Sequence, residues 1–333
     1  MMTQTLWPIR YKPLPDELLS SWLVRLAHGH CLKVQTFCNL LFGKNLQVWN
    51  RDIDRLAPAW LLTALSACTG TPYEVVWATT LRVFDGWLYP QYRASGHLPW
   101  IQNLQIYHRQ REGFGQQYCP ACLANDAVPY FRKTWRLALK TFCVQHQCQL
   151  QDRCHSCASV VSFHRMDIGR AGELVELPLS VCHACGYDLS KVPRLPPRVI
   201  DKPAFDALAK IVGAVDAVST GSASRLHGST LAVLRHMTVM MLSRKRKLHL
   251  LPYLADLFGE PCPEIEVGRR PTIEAQSNAT RHALLIWAAW LLCSPRQRLG
   301  RAIAEGACLL NHLSRDFPCP PIWYGKIYDG LRT

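Results

Sequence analysis

YCPACLANDAVPYFRKTWRLALKTFCVQH, residues 118–146, is followed by CHSCASVV from Cys154 and by VCHACGYD from Val181. The stretch contains four ligand-type pairs of one spacing: Cys119 with Cys122, Cys143 with His146, Cys154 with Cys157, and Cys182 with Cys185. Zinc takes four soft or borderline donors in a tetrahedron, and a two-residue spacer lets one tight turn aim both donors at one ion. Pro120 and Gly186 suit such knuckles. Thiolate or imidazole in all four positions leaves none for water, so the pattern indicates structural rather than catalytic zinc, two Zn2+ ions per chain.

Pairing in sequence order, 119/122/143/146 and then 154/157/182/185, closes short loops and is the favoured arrangement. A cross-braced arrangement would interleave the two sets. Cys148, His155 and His183 would each break the two-residue spacing and are left outside the ligand sets. A thioredoxin-like redox pair would need one C-x-x-C at a strand-to-helix junction of a βαβ unit, and no such pattern surrounds these pairs. Tyr130, Phe131, Trp135, Leu137 and Leu139 read as a short strand and helix over the first site. The loop-rich remainder predicts that metal stands in for a core here, since a site of this kind contributes about 10–16 kcal/mol of apparent binding free energy.

Working outward, the chain has 333 residues, of which 49% are hydrophobic, enough for two or three domains with a sizeable core. Composition shifts suggest an N-terminal helical domain over 1–113, a tandem zinc-binding domain over 114–193 and a basic helical domain over 194–333. The last holds 19 basic against 11 acidic residues, +8 of the total +14, a balance suited to a polyanionic partner. The opening MMTQTLWPIRYKPLPDE lacks the charged-then-apolar run of a signal peptide, and the longest apolar run, Ala283 to Cys293, is too short to span a bilayer. A cytoplasmic, membrane-free protein is expected. In a reducing compartment fifteen cysteines, an odd number, fit metal ligands and buried thiols better than a disulfide framework.

The first third is helical by its periodicity. Leu18, Leu19, Trp22, Leu23, Leu26 and Ala27 share a face, with Asp16 as N-cap, and a second helix runs from Val34 to Phe42 and stops at Gly43. A helix from Pro58 to Cys68 meets Gly70, after which Thr71, Pro72 and Glu74 supply an N-cap, an N1 proline and a capping box for a helix from Pro72 to Leu81. This is a helix-turn-helix outline. Its second helix carries Tyr73, Val75, Val76 and Trp77 and meets a basic residue only at Arg82, a face better suited to a protein groove than to phosphates.

In the last third, Ser229 to Leu242 has helical spacing and ends in Arg244, Lys245, Arg246 and Lys247, with Arg269, Arg270, Arg296, Arg298 and Arg301 beyond. The first four are the candidate nucleic-acid contacts; a basic run at a helix C-terminus also favours the helix dipole, whatever it binds. The chain has no G-x-x-x-x-G-K-[ST] loop, H-E-x-x-H or G-x-S-x-G elbow, so no enzymatic activity is expected.

Taken in order, PDELLSSWLVRLA (15–27), YCPACLANDAVPYFRKTWRL (118–137), CVQHQCQL (143–150), CHSC (154–157) and VCHACGYDL (181–189) resemble the TniQ/TnsD family of transposon target-selection proteins. The resemblance covers roughly residues 13–190 and thins to HALLIWAAWLL and SRDFPCPPIWYGKIYDGL. It implies a mainly α fold with small zinc-stabilised α/β modules: an N-terminal helix-turn-helix, tandem zinc modules and a C-terminal helical region. It also implies a non-catalytic adaptor that joins a target-recognition complex to an AAA+ ATPase regulator of the TnsC type, which recruits the transposase. A length between the minimal and the site-specific TnsD members points toward the group that rides on CRISPR RNA-guided Cascade as a homodimer, with target DNA met directly or through the complex. The rival reading is a free-standing zinc-dependent regulator that binds DNA by itself.

Overall fold

The computed structural model describes residues 6–43, 46, 48–107, 110–168, 177–222, 228–245, 247–266, 271–315, 317 and 319–332. It is mainly helical and divides into two compact units, Met1–Pro196 and Pro197–Thr333.

The first unit is built around α1 (Leu19–Gly29), which is buried on every side from Leu19 to Ala27. A helix so enclosed must satisfy its polar side chains internally. Ser20 donates its backbone N–H and its hydroxyl to the Asp54 carboxylate at 2.7 and 2.8 Å, and Arg25 holds Glu17 through Nε at 2.8 Å and Nη2 at 2.7 Å. Asp54, from α3 (Ile53–Leu56), thus meets the first turn of α1, where a negative charge suits the helix dipole. Asp16, expected as the N-cap, does not fill that place. The N-cap is Leu18, with no side-chain cap, and the Asp16 carboxylate accepts the Thr134 hydroxyl at 2.6 Å.

α2 (Val34–Phe42) stops at Gly43, whose φ of 82° opens the turn. α4 (Ala59–Thr69) ends at Gly70 in the left-handed region and packs against α5 (Tyr73–Trp77). The helix-turn-helix outline is present, but its second helix is five residues long and does not reach Leu81. The Thr79 and Thr80 hydroxyls fold back onto the carbonyls of Val76 and Trp77, a competition with the helix ladder that ends it. Nor does the capping box form: Pro72 is the N-cap, and the Thr71 hydroxyl accepts from Thr69 instead.

A hairpin of β1 (Ile106–Tyr107) and β2 (Gln110–Arg111) leads to α6 (Pro120–Asn125), and a second hairpin pairs β3 (Phe142–Cys143) with β4 (Cys148–Gln149). Sequence composition separates 1–113 from 114–193, yet both lie in this one unit. The joint is packed rather than open: a Cβ on Gly115 would meet the Asn103 carbonyl at 2.5 Å. Backbone bonds cross it from Leu18 to Phe131 (2.9 Å), Gln102 to Arg136 (3.0 Å) and Ala138 to Trp100 (2.8 Å). Phe131, Trp135 and Leu137 are fully enclosed, as are Leu18 and Trp22. The middle segment therefore has an apolar core as well as its metal-ligand clusters, contrary to the expectation that metal stands in for one. Lys133–Arg136 is a single 3-10 turn, not a strand and helix.

The second unit holds α7 (Lys202–Ser219), α8 (Gly228–Leu242), α9 (Leu250–Phe258), α10 (Asn278–Cys293), α11 (Pro295–Ala304) and α12 (Ile322–Asp329). α10 is its axis, packed against α7, α8 and α11, with Leu284, Leu285, Ala288 and Leu291 fully buried. Asp201 caps α7 by accepting the Ala204 N–H at 2.8 Å, and Ser277 caps α10 through the Thr280 N–H at 3.3 Å. Among the described residues, no helix is long and apolar enough to cross a membrane.

Candidate metal centres and basic surface

The first cluster is assembled by a helix start and a hairpin. Pro120 occupies the first position of α6, and Cys119, its N-cap, accepts the Cys122 N–H on sulfur at 3.4 Å, so both thiols lie at the turn where backbone donors favour a thiolate. Cys143 ends β3, and a tight turn through Gln147, φ 48°, swings His146 back over it. The ligand atoms of Cys119, Cys122, Cys143 and His146 all lie within 4.8 Å of one another.

With bonds of about 2.3 Å to sulfur and 2.0–2.1 Å to nitrogen, a zinc tetrahedron separates two sulfurs by about 3.8 Å and sulfur from nitrogen by about 3.6 Å. Here Cys122 and Cys143 sulfurs are 3.8 Å apart, and His146 Nδ1 lies 3.7, 3.3 and 3.5 Å from Cys119, Cys122 and Cys143. The donor set and its spacing fit the ion. Hydrogen bonds that the Cys119 S–H donates to Cys122, Cys143 and Cys148, together with burial, push this thiol far up, so these thiols do not ionise together without a cation to neutralise them. His146 presents Nδ1 inward and sets Nε2 3.0 Å from the Asn125 amide. With Nδ1 on a metal, Nε2 carries the proton and donates, so Asn125 must turn its oxygen toward it.

The second cluster joins two similar turns. Cys154 N–H donates to Ser159 and Cys182 N–H to Tyr187, while Ala158 (φ 56°) and Gly186 (φ 77°) take the left-handed conformation that closes each knuckle. Cys154 and Cys185 sulfurs are 3.7 Å apart, and Cys157 and Cys182 sulfurs 3.8 Å. All four sulfurs lie within 4.8 Å of one another. The sets are sequential, not interleaved. Cys157 and Cys185 are exposed, whereas all three cysteines of the first cluster are buried.

Of the other residues set aside on spacing, His155 and His183 belong to neither tetrad. Cys148 is different: it lies opposite Cys143 in the hairpin, with its sulfur 3.5 Å from that of Cys119. The x1 spacing from His146 concealed it, because the antiparallel register that brings it near is a property of the hairpin.

The basic run gives a mixed result. Arg244, Lys245 and Lys247 are exposed at the C-terminal end of α8, and Arg246 lies outside the described residues, as do Arg269 and Arg270. Arg244 and Lys245 line a cavity of about 590 Å3 with Arg315 and His312, above an apolar floor of Val239, Met240, Leu242 and Leu248. Among the described residues, none that lines it is acidic. Arg298 instead stacks on Trp290, 4.2 Å from the ring, and Arg301 pairs with Glu305 at 2.7 Å.

Comparison with known proteins adds one result. Residues 8–150 match the TniQ family model, a span that contains α1 to α6 and the whole first cluster and ends before the second. No curated protein matches the chain.

Proposed function

We propose that the chain, whose residues 8–150 match the TniQ family model, serves target selection in transposition as a zinc-stapled, non-catalytic adaptor. In this reading it binds two Zn2+ ions, one in each tetrad, works as a homodimer, and links a target-recognition complex, CRISPR RNA-guided Cascade, to an AAA+ ATPase regulator of the TnsC type.

The observation that carries the reading is the family match taken with two clusters whose four donors each complete a tetrahedron. Such centres hold a scaffold and leave no coordination site for substrate. Two surface features support partner docking. Tyr73 and Val75 of α5 are exposed at 36% and 44%, an apolar pair on the helix that in a DNA reader would carry polar groups. Arg82, the next basic residue along the chain, is held 3.6 Å above the Tyr92 ring and within 3.7 Å of Asp85, engaged within the protein. The five-residue α5 also weighs against a free-standing DNA-binding regulator, since about 7.5 Å of helix offers little reach into a major groove.

The test is co-purification from cells that express the chain with a TnsC-type ATPase and an RNA-guided complex, followed by light scattering of the isolated chain. Retention of both partners and a dimer mass are expected. Failure to retain either partner, with tight binding of a discrete DNA duplex by the chain alone, would establish the regulator instead. Alanine at Arg244, Lys245 and Lys247 together should weaken nucleic-acid binding and flatten its salt dependence.

A further inference from the structure

The first tetrad is crowded by a fifth sulfur, and we infer that Cys148 is a reserve ligand of this centre, able to take the place of Cys119 on the metal. This rests on the zinc reading of the cluster.

The geometry comes from the hairpin. Cys148 pairs directly with Cys143 across β3 and β4, and directly opposed residues of an antiparallel pair carry their Cβ atoms about 4.5–5.5 Å apart on one face. The backbone on this strand is fixed by the Gln149 N–H on the Leu195 carbonyl at 2.8 Å and the Leu150 N–H on the Thr141 carbonyl at 3.0 Å. Cys148 is 2% exposed. Its sulfur stands 3.5 Å from Cys119, as near as the resident donors stand to one another. A change of one staggered χ1 well moves a cysteine sulfur by about 3 Å, comparable with the 3.5 Å that separates the two sulfurs. Cys122 has no such understudy, since its sulfur neighbours Cys143 and His146, both already in the tetrad.

The exchange balances in charge and protons. With an ion bound through Cys119, Cys148 would be the thiol of the 3.5 Å pair. Exchange would pass its proton to Cys119 as Cys119 leaves the ion and Cys148 takes its place. Three thiolates and one imidazole would hold the ion both before and after the exchange. Where Cys119 is absent, the Cys148 proton leaves to solvent as the metal binds.

Native mass spectrometry of the full chain, counting zinc per polypeptide, with circular dichroism alongside to follow folding, tests this. The wild type and Cys148→Ala should hold two ions, Cys119→Ala two, and Cys122→Ala and the Cys119→Ala/Cys148→Ala double variant one. The second tetrad keeps its ion in each case and serves as the internal control. Three outcomes overturn the inference: Cys119→Ala drops to one ion or unfolds as Cys122→Ala does; the double variant keeps two; or Cys148→Ala alone loses an ion, which makes Cys148 a resident ligand. A wild-type chain with no ion in the first tetrad would overturn the zinc reading itself, and this inference with it.

Discussion

Arg136 Nη2 lies 2.6 Å from Asp52 Oδ2, joining residues 84 positions apart, and the arginine side chain has no exposed surface. Its Nη1 stands 3.3 Å from Asp54 Oδ2, so one guanidinium serves the half-buried Asp52 and the buried Asp54. Burial pushes Asp52 up, but the charge and hydrogen bond of Arg136 outweigh it and hold Asp52 below the usual carboxylate range. Through Asp54 the same network reaches Ser20 at the start of α1. One charge therefore ties the N-terminal helices to the segment that carries the first cluster, alongside the backbone bonds that cross the same joint.

Replacing that charge should be among the most damaging single changes in the first unit. Arg136→Met removes the one guanidinium bonded to both Asp52 and Asp54 and leaves them only the charge of the neighbouring Arg111, a defect of the kind that costs about 3–5 kcal/mol against a total stability of roughly 5–15 kcal/mol for an ordinary domain. Urea unfolding with zinc in excess should show the midpoint falling by a large fraction of its value. Arg301→Ala, which removes an exposed pair with Glu305, should leave it almost unmoved. Similar shifts for the two variants would mean that the Arg136 network is not a stability element.

Asp54 predicts an unusual pH dependence. Burial, and then the neighbouring Asp52 charge, raise its carboxyl from the ordinary 3.8 to about 6. A carboxyl raised on folding binds its proton more tightly in the native state, so its contribution is fully present below about pH 4 and is lost as pH rises through about 6. Between pH 5 and pH 7 this one group should remove about 1 kcal/mol of stability. Asn at this position keeps an acceptor for the Ser20 N–H and abolishes the titration. Unfolding free energies of wild type and Asp54→Asn, each at the two pH values, isolate the effect. Parallel pH profiles would show that Asp54 does not titrate in this window.

The two metal centres should open in a fixed order. Cys157 and Cys185 are exposed, while Cys119, Cys122 and Cys143 are all buried. A thiol reagent reaches exposed sulfur first. Titration with an organomercurial, with zinc release followed by a chromogenic chelator, should give two phases: one ion lost while the first unit stays folded, the second with its collapse. Release of both ions in one phase would mean that the centres are not independently accessible.

How much of this was legible in the sequence depended on how local each signal is. The two tetrads, the end of α2 at Gly43 and the extent of α8 all follow from spacings within a few residues, and the structure assembles them in that order. Asp54 takes the place expected for Asp16 because the partner that meets the α1 N-terminus comes from 34 residues away, a distance no capping pattern records. The single unit across residues 113 and 114 was hidden for the same reason: composition changes there, but Gly115 lies flush against Asn103 and the core on both sides is shared. Cys148 was set aside on spacing and stands outside the tetrad, though beside Cys119, where the hairpin register places it; Asn125 was missed because only the length of α6 brings it to His146.

Asn125 gives a final test of how the first centre is oriented. Its amide is the one side chain among the described residues within hydrogen-bond range of His146 Nε2, at 3.0 Å, and a partner on the distal nitrogen fixes both the tautomer and the ring plane of a metal-bound histidine. Losses of about 10–100-fold in metal affinity follow removal of such partners, and Asn125, being exposed, should fall at the low end. Competition with a chelator of known affinity should show one of the two zinc sites of Asn125→Ala weakened by about 10-fold while the other is unchanged. Asn125→Asp keeps an oxygen for the Nε2 proton and should restore or exceed wild-type affinity, whereas a residue that matters only for the last turn of α6 would not distinguish the two substitutions. Equal losses for alanine and aspartate would remove Asn125 from the metal centre.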